Sequence, residues 1–358
     1  MASGDGFHQI VIIGASFGGL PTAHGLLRDV LPALPKPKDK RYKVLLITPS
    51  EHFYWMIGAP RAVAAPQNLP LEKLLLPIPD EFKNYSKESF EFIHARAISI
   101  DPSTNVVDTS TNQKVRYDSL VIASGLNYTS SAWTISNGLD SLQQDLGQLH
   151  RDLKAAKTIL ISGGGPVGVE TAGELVEVFK NEKEITLLSG TSQLLSKLQH
   201  KSLGKDAEGY LVQCGVKIVH NLRVDSSDKT EAGQTSLQLS DGSNRLVDVH
   251  IDATGGRPNG DFVPEAWLTE KGYVKTDVST LRLDVETVQN VYCVGSVCSY
   301  AVGNSLDSKF AIKPLLESIR LDLLSQGEIG QHGSSIFFGP FSFAPIYSPK
   351  IQPPQWDL

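Results

Sequence analysis

A chain of 358 residues, 41% hydrophobic and 20% charged with 31 glycines and 20 prolines, is long enough for two packed domains and too apolar to be disordered. Its net charge of −6 includes no basic block, which excludes a nucleic-acid surface; the densest positive cluster, Lys36 to Lys43, is interrupted by Pro37 and Asp39 and reads as a solvated loop. Only three cysteines occur, Cys214, Cys293 and Cys298, which excludes a disulfide scaffold and a CxxC metal knuckle, so no metal site is expected.

The N-terminal "MASGDGFHQIVIIG" has no basic segment before a signal-type apolar core, residue 2 is Ala and not the Gly of N-myristoylation, and the final "WDL" is no retention address. No stretch approaches the ~18 apolar residues of a membrane span. The sequence therefore predicts a cytosolic protein without a transmembrane segment, and it carries no signal of oligomeric state.

In "HQIVIIGASFGGLPTAHGLL" a continuous apolar run, Ile10 to Ile13, suits a buried parallel strand. The chain breaks at Gly14 and resumes with helical spacing at Leu20, Ala23, Leu26 and Leu27. The turn Gly14-Ala15-Ser16-Phe17-Gly18-Gly19 approximates GxGxxG, with Ser16 small enough for a pyrophosphate to approach the helix N-terminus. A second strand, in "YKVLLITPSEHFYW", ends at Thr48, where an acid normally meets the adenosine ribose; Thr48 offers a neutral hydroxyl. The aromatic run His52 to Trp55 suits either a cofactor pocket or the core, and Phe90 to Val107 suits an interposed β-sheet. "VIASG", ending at Ser124 and Gly125, and "IDATGG", ending at Gly255 and Gly256, are apolar strands closed by small residues, as expected where a chain crosses between domains beside a cofactor.

The second copy is "KTILISGGGPVGVETAGELVEVF": a strand from Thr158 to Ser162, then Gly163-x-Gly165-x-x-Gly168, then a helix with Val169, Ala172, Leu175 and Val176 on one face. One glycine-rich turn is a weak signal; two strand-turn-helix copies with first glycines 149 residues apart (14 to 163) are a strong one. The strand that follows, "KEITLLSG", ends at Ser189. Ser189 and Gly190 supply neither a ribose-binding acid nor a 2′-phosphate-binding Arg, which leaves NADH and NADPH both open.

On "VIIGASFGGL", "HFYWMIGAPRA", "YDSLVIASG", "GGGPVGVETAGEL", "IDATGGRPN" and "NVYCVGSVCS", in this order, the chain resembles the two-dinucleotide flavoprotein oxidoreductases of pyridine nucleotide-disulfide type. Within them it is most similar to the mitochondrion-associated apoptosis-inducing-factor homologues, which include ferroptosis suppressor protein and fungal relatives. The resemblance spans roughly residues 8–325. It implies an α/β fold of two Rossmann-like, doubly wound domains of glutathione-reductase type, with an interposed antiparallel sheet and a short C-terminal segment. An FAD domain is expected at 1–128 plus 253–325, an NAD(P)H domain at 129–252 and a tail at 326–358, aromatic and Pro-rich.

The same resemblance implies FAD on the first turn, NADH or NADPH on the second, and hydride transfer to a quinone-like or other small-molecule electron acceptor. Ala97 matches the adenine-facing position and Glu170 the nucleotide-domain Glu that supports the central site. Arg61 falls in the stretch beside the flavin, as a cation for the pyrophosphate or the reduced ring. Lys313, with Lys309, precedes the helix that closes the flavin site, and is the second catalytic candidate after Glu170. The pattern departs at Thr48 and at Ser296, which replaces the Asp of a Gly-Asp turn. Two lost charge-assisted hydrogen bonds weaken FAD by about 3–6 kcal/mol, two to four decades of affinity. Those losses leave open two other readings: a scaffold repurposed for non-redox isomerisation or cyclisation of a biosynthetic substrate, or an NAD(P)H-binding regulator.

Overall fold

The computed structural model describes residues 6–35, 41–180, 182–198, 200–301 and 305–325; the Lys-Pro-Lys-Asp-Lys stretch 36–40 and the aromatic tail 326–358 lie outside the described residues. Two parallel sheets organise the rest. The first runs Val291–Cys293, Ser119–Ile122, Phe7–Ile13, Arg41–Thr48, Phe90–His94 in spatial order. The second runs Lys217–His220, Glu184–Ser189, Thr158–Ser162, Val249–Asp252. Strands covered on both faces bury consecutive residues instead of alternate ones, and Ile10, Val11 and Ile12 are all 0% exposed.

Phe90–His94 belongs to the first parallel sheet, paired with Arg41–Thr48 from Val44↔Phe90 to Thr48↔His94. The sequence expectation that Phe90 to Val107 forms one interposed sheet is therefore corrected. The antiparallel sheet starts at Ala97–Asp101 and continues through Val106–Thr109 and Lys114–Arg116. A short apolar run reads the same as an edge strand of a parallel sheet or a hairpin arm, and only its partner decides. A second antiparallel meander, Val224–Lys229, Thr235–Leu239 and Asn244–Val247, extends the other unit.

Two short strands, Leu126–Tyr128 and Gly256–Pro258, pair antiparallel where the chain leaves the first unit and returns to it. Asn259 fastens this crossing: its N–H donates to the Gly125 carbonyl at 3.0 Å, and its carbonyl accepts from Ser124 Oγ at 2.7 Å. The units also meet through helices, since Ala59–Ala64 packs on Pro166–Phe179 and on Leu139–Ala155. Among the described residues the chain passes between the two parallel sheets at these two crossings.

Candidate functional site

Each glycine-rich turn is shaped by steric exclusion. Gly14 adopts φ +103°, and a methyl there would lie 2.4 Å from the Ala123 carbonyl oxygen; a methyl on Gly19 would overlap the Gly14 oxygen at 1.7 Å. The second turn repeats this: Gly163 has φ +118° with Ala253 O at 2.2 Å, and Gly168 faces Gly163 O at 1.9 Å. Strand and following helix touch backbone to backbone, and only glycine permits that approach. Gly18 packs against Val294 and is similarly confined. Gly165 is the exception. It has φ −82°, ψ −178°, and a methyl built on it meets nothing within 4 Å. Its backbone faces open space in front of the Pro166–Phe179 helix, whose unpaired N–H groups and dipole favour an anion.

Ser16 holds the corresponding place in the first turn, half-buried, with its carbonyl accepting from Leu20 N at 3.1 Å. Thr48 is buried at the end of its strand, and its carbonyl accepts from Ala95 N at 3.0 Å. Ser189 is buried as well, with its hydroxyl 3.1 Å from Thr191 Oγ1. Ala97 is buried at the start of the antiparallel sheet. Ser124 and Gly125 sit in the fastened crossing, and Gly255, at φ +101°, sits beside its returning strand. Ser296 is half-buried in a turn that Gly295 makes at φ +90°, and Ser308, early in the Ser305–Ser325 helix, lies close against Gly295.

Lys313 is exposed on that helix. Ser308 faces the turn, and five residues later the helix has rotated by about 140°. The structure thus brings Ser296 and the start of the final helix together but carries Lys313 to another face. Phe53, Tyr54 and Trp55 are buried in the core, with Phe17 meeting Phe53 edge-on at 5.1 Å.

Arg61 departs from expectation. Its guanidinium forks onto Glu174, with Nη2 to Oε1 at 2.8 Å and Nε to Oε1 at 3.0 Å, so its charge is matched by a carboxylate of the other unit. The cation expected beside the flavin is a clasp between the helices Ala59–Ala64 and Pro166–Phe179. The pair is only 26% and 13% exposed. Removing either member leaves a largely dehydrated charge, so Arg61→Ala and Glu174→Ala should each lower unfolding stability by about 1–3 kcal/mol. Urea midpoints check this, and the double variant should lose less than the sum of the two.

Glu170 lies one helical turn before Glu174. It is exposed to solvent yet has protein on most sides. Burial first, and the Glu174 charge second, push its carboxyl up to about 7. Cys293 and Cys298 are fully buried with sulfurs 2.9 Å apart. Burial raises the Cys293 thiol well above its ordinary value, which disfavours the thiolate that a cysteine relay needs. Among the described residues no cluster of His, Cys, Asp and Glu is arranged to hold a metal, and no helix is long and apolar enough to cross a membrane.

Two doubly wound units joined by a paired crossing, each opening a helix behind a glycine-rich turn, define a two-dinucleotide oxidoreductase scaffold. The chain belongs to the pyridine nucleotide-disulphide oxidoreductase family, which it matches over residues 8–318. It is 34% identical to the oxidoreductase phnG of Penicillium herquei, over 88% of this chain and 80% of that one. It is 25% identical to apoptosis-inducing factor 1 of Saccharomyces cerevisiae, over 82% and 74% respectively. Among solved structures it resembles an NAD-dependent persulfide reductase from A. fulgidus, with a TM-score of 0.69 and 18% identity; the match covers 87% of this chain and 59% of that one.

The family implies FAD and a nicotinamide dinucleotide, and the residues present fit both. Gly165 leaves the space that a pyrophosphate needs, and the first turn repeats the backbone contacts of the second. Thr48 and Ser296 carry a hydroxyl where the family resemblance implies a carboxylate. Sequence reasoning missed Glu174, although it stands at i+4 from Glu170 on one helix face, the spacing at which side chains interact. It also missed Asn259, whose role depends on residues more than 130 positions away.

Proposed function

We propose that the protein is a flavoenzyme that oxidises NADH or NADPH and reduces a small organic acceptor, quinone-like in type. The observation that carries this reading is the duplicated glycine turn, each copy setting the end of a parallel strand against the start of the following helix. We assign FAD to the unit of residues 1–128 plus 253–325 and the nicotinamide dinucleotide to residues 129–252. FAD, when bound, supplies two-electron acceptance from the nucleotide and donation to the acceptor.

The chain's own residues bind, align and exclude water. The Gly14–Gly19 turn takes the FAD pyrophosphate and the Gly163–Gly168 turn that of the nucleotide. The Ser124–Asn259 fastening and the Arg61–Glu174 clasp hold the two units at a fixed separation, which sets how closely the two rings stack. Glu170, with its carboxyl raised to about 7, is about half protonated at neutral pH and can release a proton there. With no thiolate relay among the described cysteines, the acceptor meets the flavin directly.

Purification tests the reading. Protein reconstituted with FAD should absorb near ~450 nm and oxidise NADH or NADPH when a soluble quinone is added. A colourless protein that takes up no FAD and leaves both nucleotides unoxidised overturns it. The Ser296 turn gives a finer test: Ser296→Asp restores a charged acceptor beside the final helix and should tighten FAD by about tenfold or more, read by flavin-fluorescence titration. Unchanged affinity means that this turn does not face the cofactor.

A further inference from the structure

NADPH and NADH differ at the adenosine ribose, where one carries a 2′-phosphate of about −1.5 to −2 charges at neutral pH and the other a hydroxyl. Units that select NADH meet the hydroxyl with a carboxylate at the end of their second strand, and units that accept the phosphate present a cation there. Glu184–Ser189 ends without either, and the Ser189 hydroxyl is engaged locally by Thr191.

The cation comes from the neighbouring strand. Lys217–His220 runs parallel to Glu184–Ser189, and the loop that leaves it is tied to the same tip. Leu222 N donates to Ser189 O at 3.1 Å, and Asn221 N donates to Thr191 O at 3.2 Å. This lays Arg223 across Gly190: a methyl on Gly190 would lie 3.0 Å from Arg223 Cγ and 3.3 Å from Cδ. The glycine makes room for the arginine stem. Arg223 is exposed, and none of the ion pairs among the described residues uses its guanidinium. Glu208, on the helix Lys201–Gln213, is held by His220 at the end of this strand, Nε2 to Oε1 3.0 Å.

We propose that Arg223 selects NADPH over NADH by pairing its guanidinium with the 2′-phosphate at the Ser189–Gly190 tip. The proposal rests on the reading that this unit binds a nicotinamide dinucleotide. A planar, permanently charged fork matches a phosphate in two hydrogen bonds, and the open position lets the pair form with little rearrangement of the fold.

Calorimetric titration of the full-length protein with adenosine 2′,5′-bisphosphate and 5′-AMP isolates the 2′-phosphate, and the same comparison is repeated with NADPH and NADH. The bisphosphate should bind about ten- to a hundredfold more tightly than 5′-AMP in the wild type. Arg223→Leu should retain 5′-AMP affinity and bring the ratio close to one, whereas Arg223→Lys should keep part of it, as a point charge without the fork. Raising the salt should compress the wild-type ratio, because the pair is exposed. A wild-type ratio near one, or a high ratio that survives in Arg223→Leu, overturns the assignment while leaving nucleotide binding intact. If none of the four nucleotides binds, the reading of the unit itself fails and the assignment fails with it.

Discussion

Gly165→Ala should fold like the wild type and lose nucleotide affinity by about 10²-fold. The position has φ −82° and ψ −178°, extended backbone that alanine adopts without strain, and its methyl would meet no protein atom within 4 Å. Nothing in the protein opposes the substitution. The methyl would, however, stand in the space through which a pyrophosphate reaches the first N–H groups of the Pro166–Phe179 helix, separating anion from donors and weakening charge-assisted hydrogen bonds worth about 1.5–3 kcal/mol each. Gly168→Ala is the control. Its methyl would lie 1.9 Å from the Gly163 oxygen, so helix and strand must separate, and the expected cost is about 1–3 kcal/mol of overpacking strain in fold stability. Thermal melts and NADPH titrations of the two variants separate a site effect from a folding effect. Equal melting temperatures combined with unchanged affinity in Gly165→Ala would remove the turn from the nucleotide site.

That contrast shows how far local sequence reaches. Both glycine turns were legible because strand, turn and helix follow within some twenty residues, so one stretch contains the apolar run, the glycines and the helical spacing. Thr48 was legible as the end of the apolar run that follows the first turn, and Ser296 through the resemblance of its segment to a Gly-Asp turn. Arg61 was not. Its partner, Glu174, is 113 residues away, and a charge in a small-residue helix reads the same whether it faces a ligand, solvent or another domain. Arg223 was hidden for a related reason: the search for a ribose-binding residue follows the second strand, whereas the residue that reaches its tip arrives from the third. Phe90–His94 was assigned to the wrong sheet because five apolar and polar residues carry no record of which strand lies beside them. What fixes each of these is long-range pairing, which no local period encodes.

Glu170→Gln should lower kcat/KM by about 10²-fold and abolish a pH dependence centred near 7. Reducing a quinone-like acceptor to its hydroquinone consumes two electrons and two protons, and the hydride from the nucleotide brings only one of the protons. The second is drawn from a group that is protonated at working pH and still acidic enough to release it. An ordinary glutamate does not qualify, since it is ionised at working pH. At Glu170 burial first, and the carboxylate of Glu174 second, raise the group to about 7. The acid form is complete below that value and lost above it, so kcat/KM should fall as pH rises through about 7, provided the wild-type carboxyl is the donor. The isosteric amide cannot titrate, and its profile should be flat across that range. Glu174→Gln supplies the sign test. It removes the second cause of the raised value, so the falling limb should move to lower pH. A limb near 7 that persists in Glu170→Gln, or that fails to move in Glu174→Gln, assigns the proton to another group.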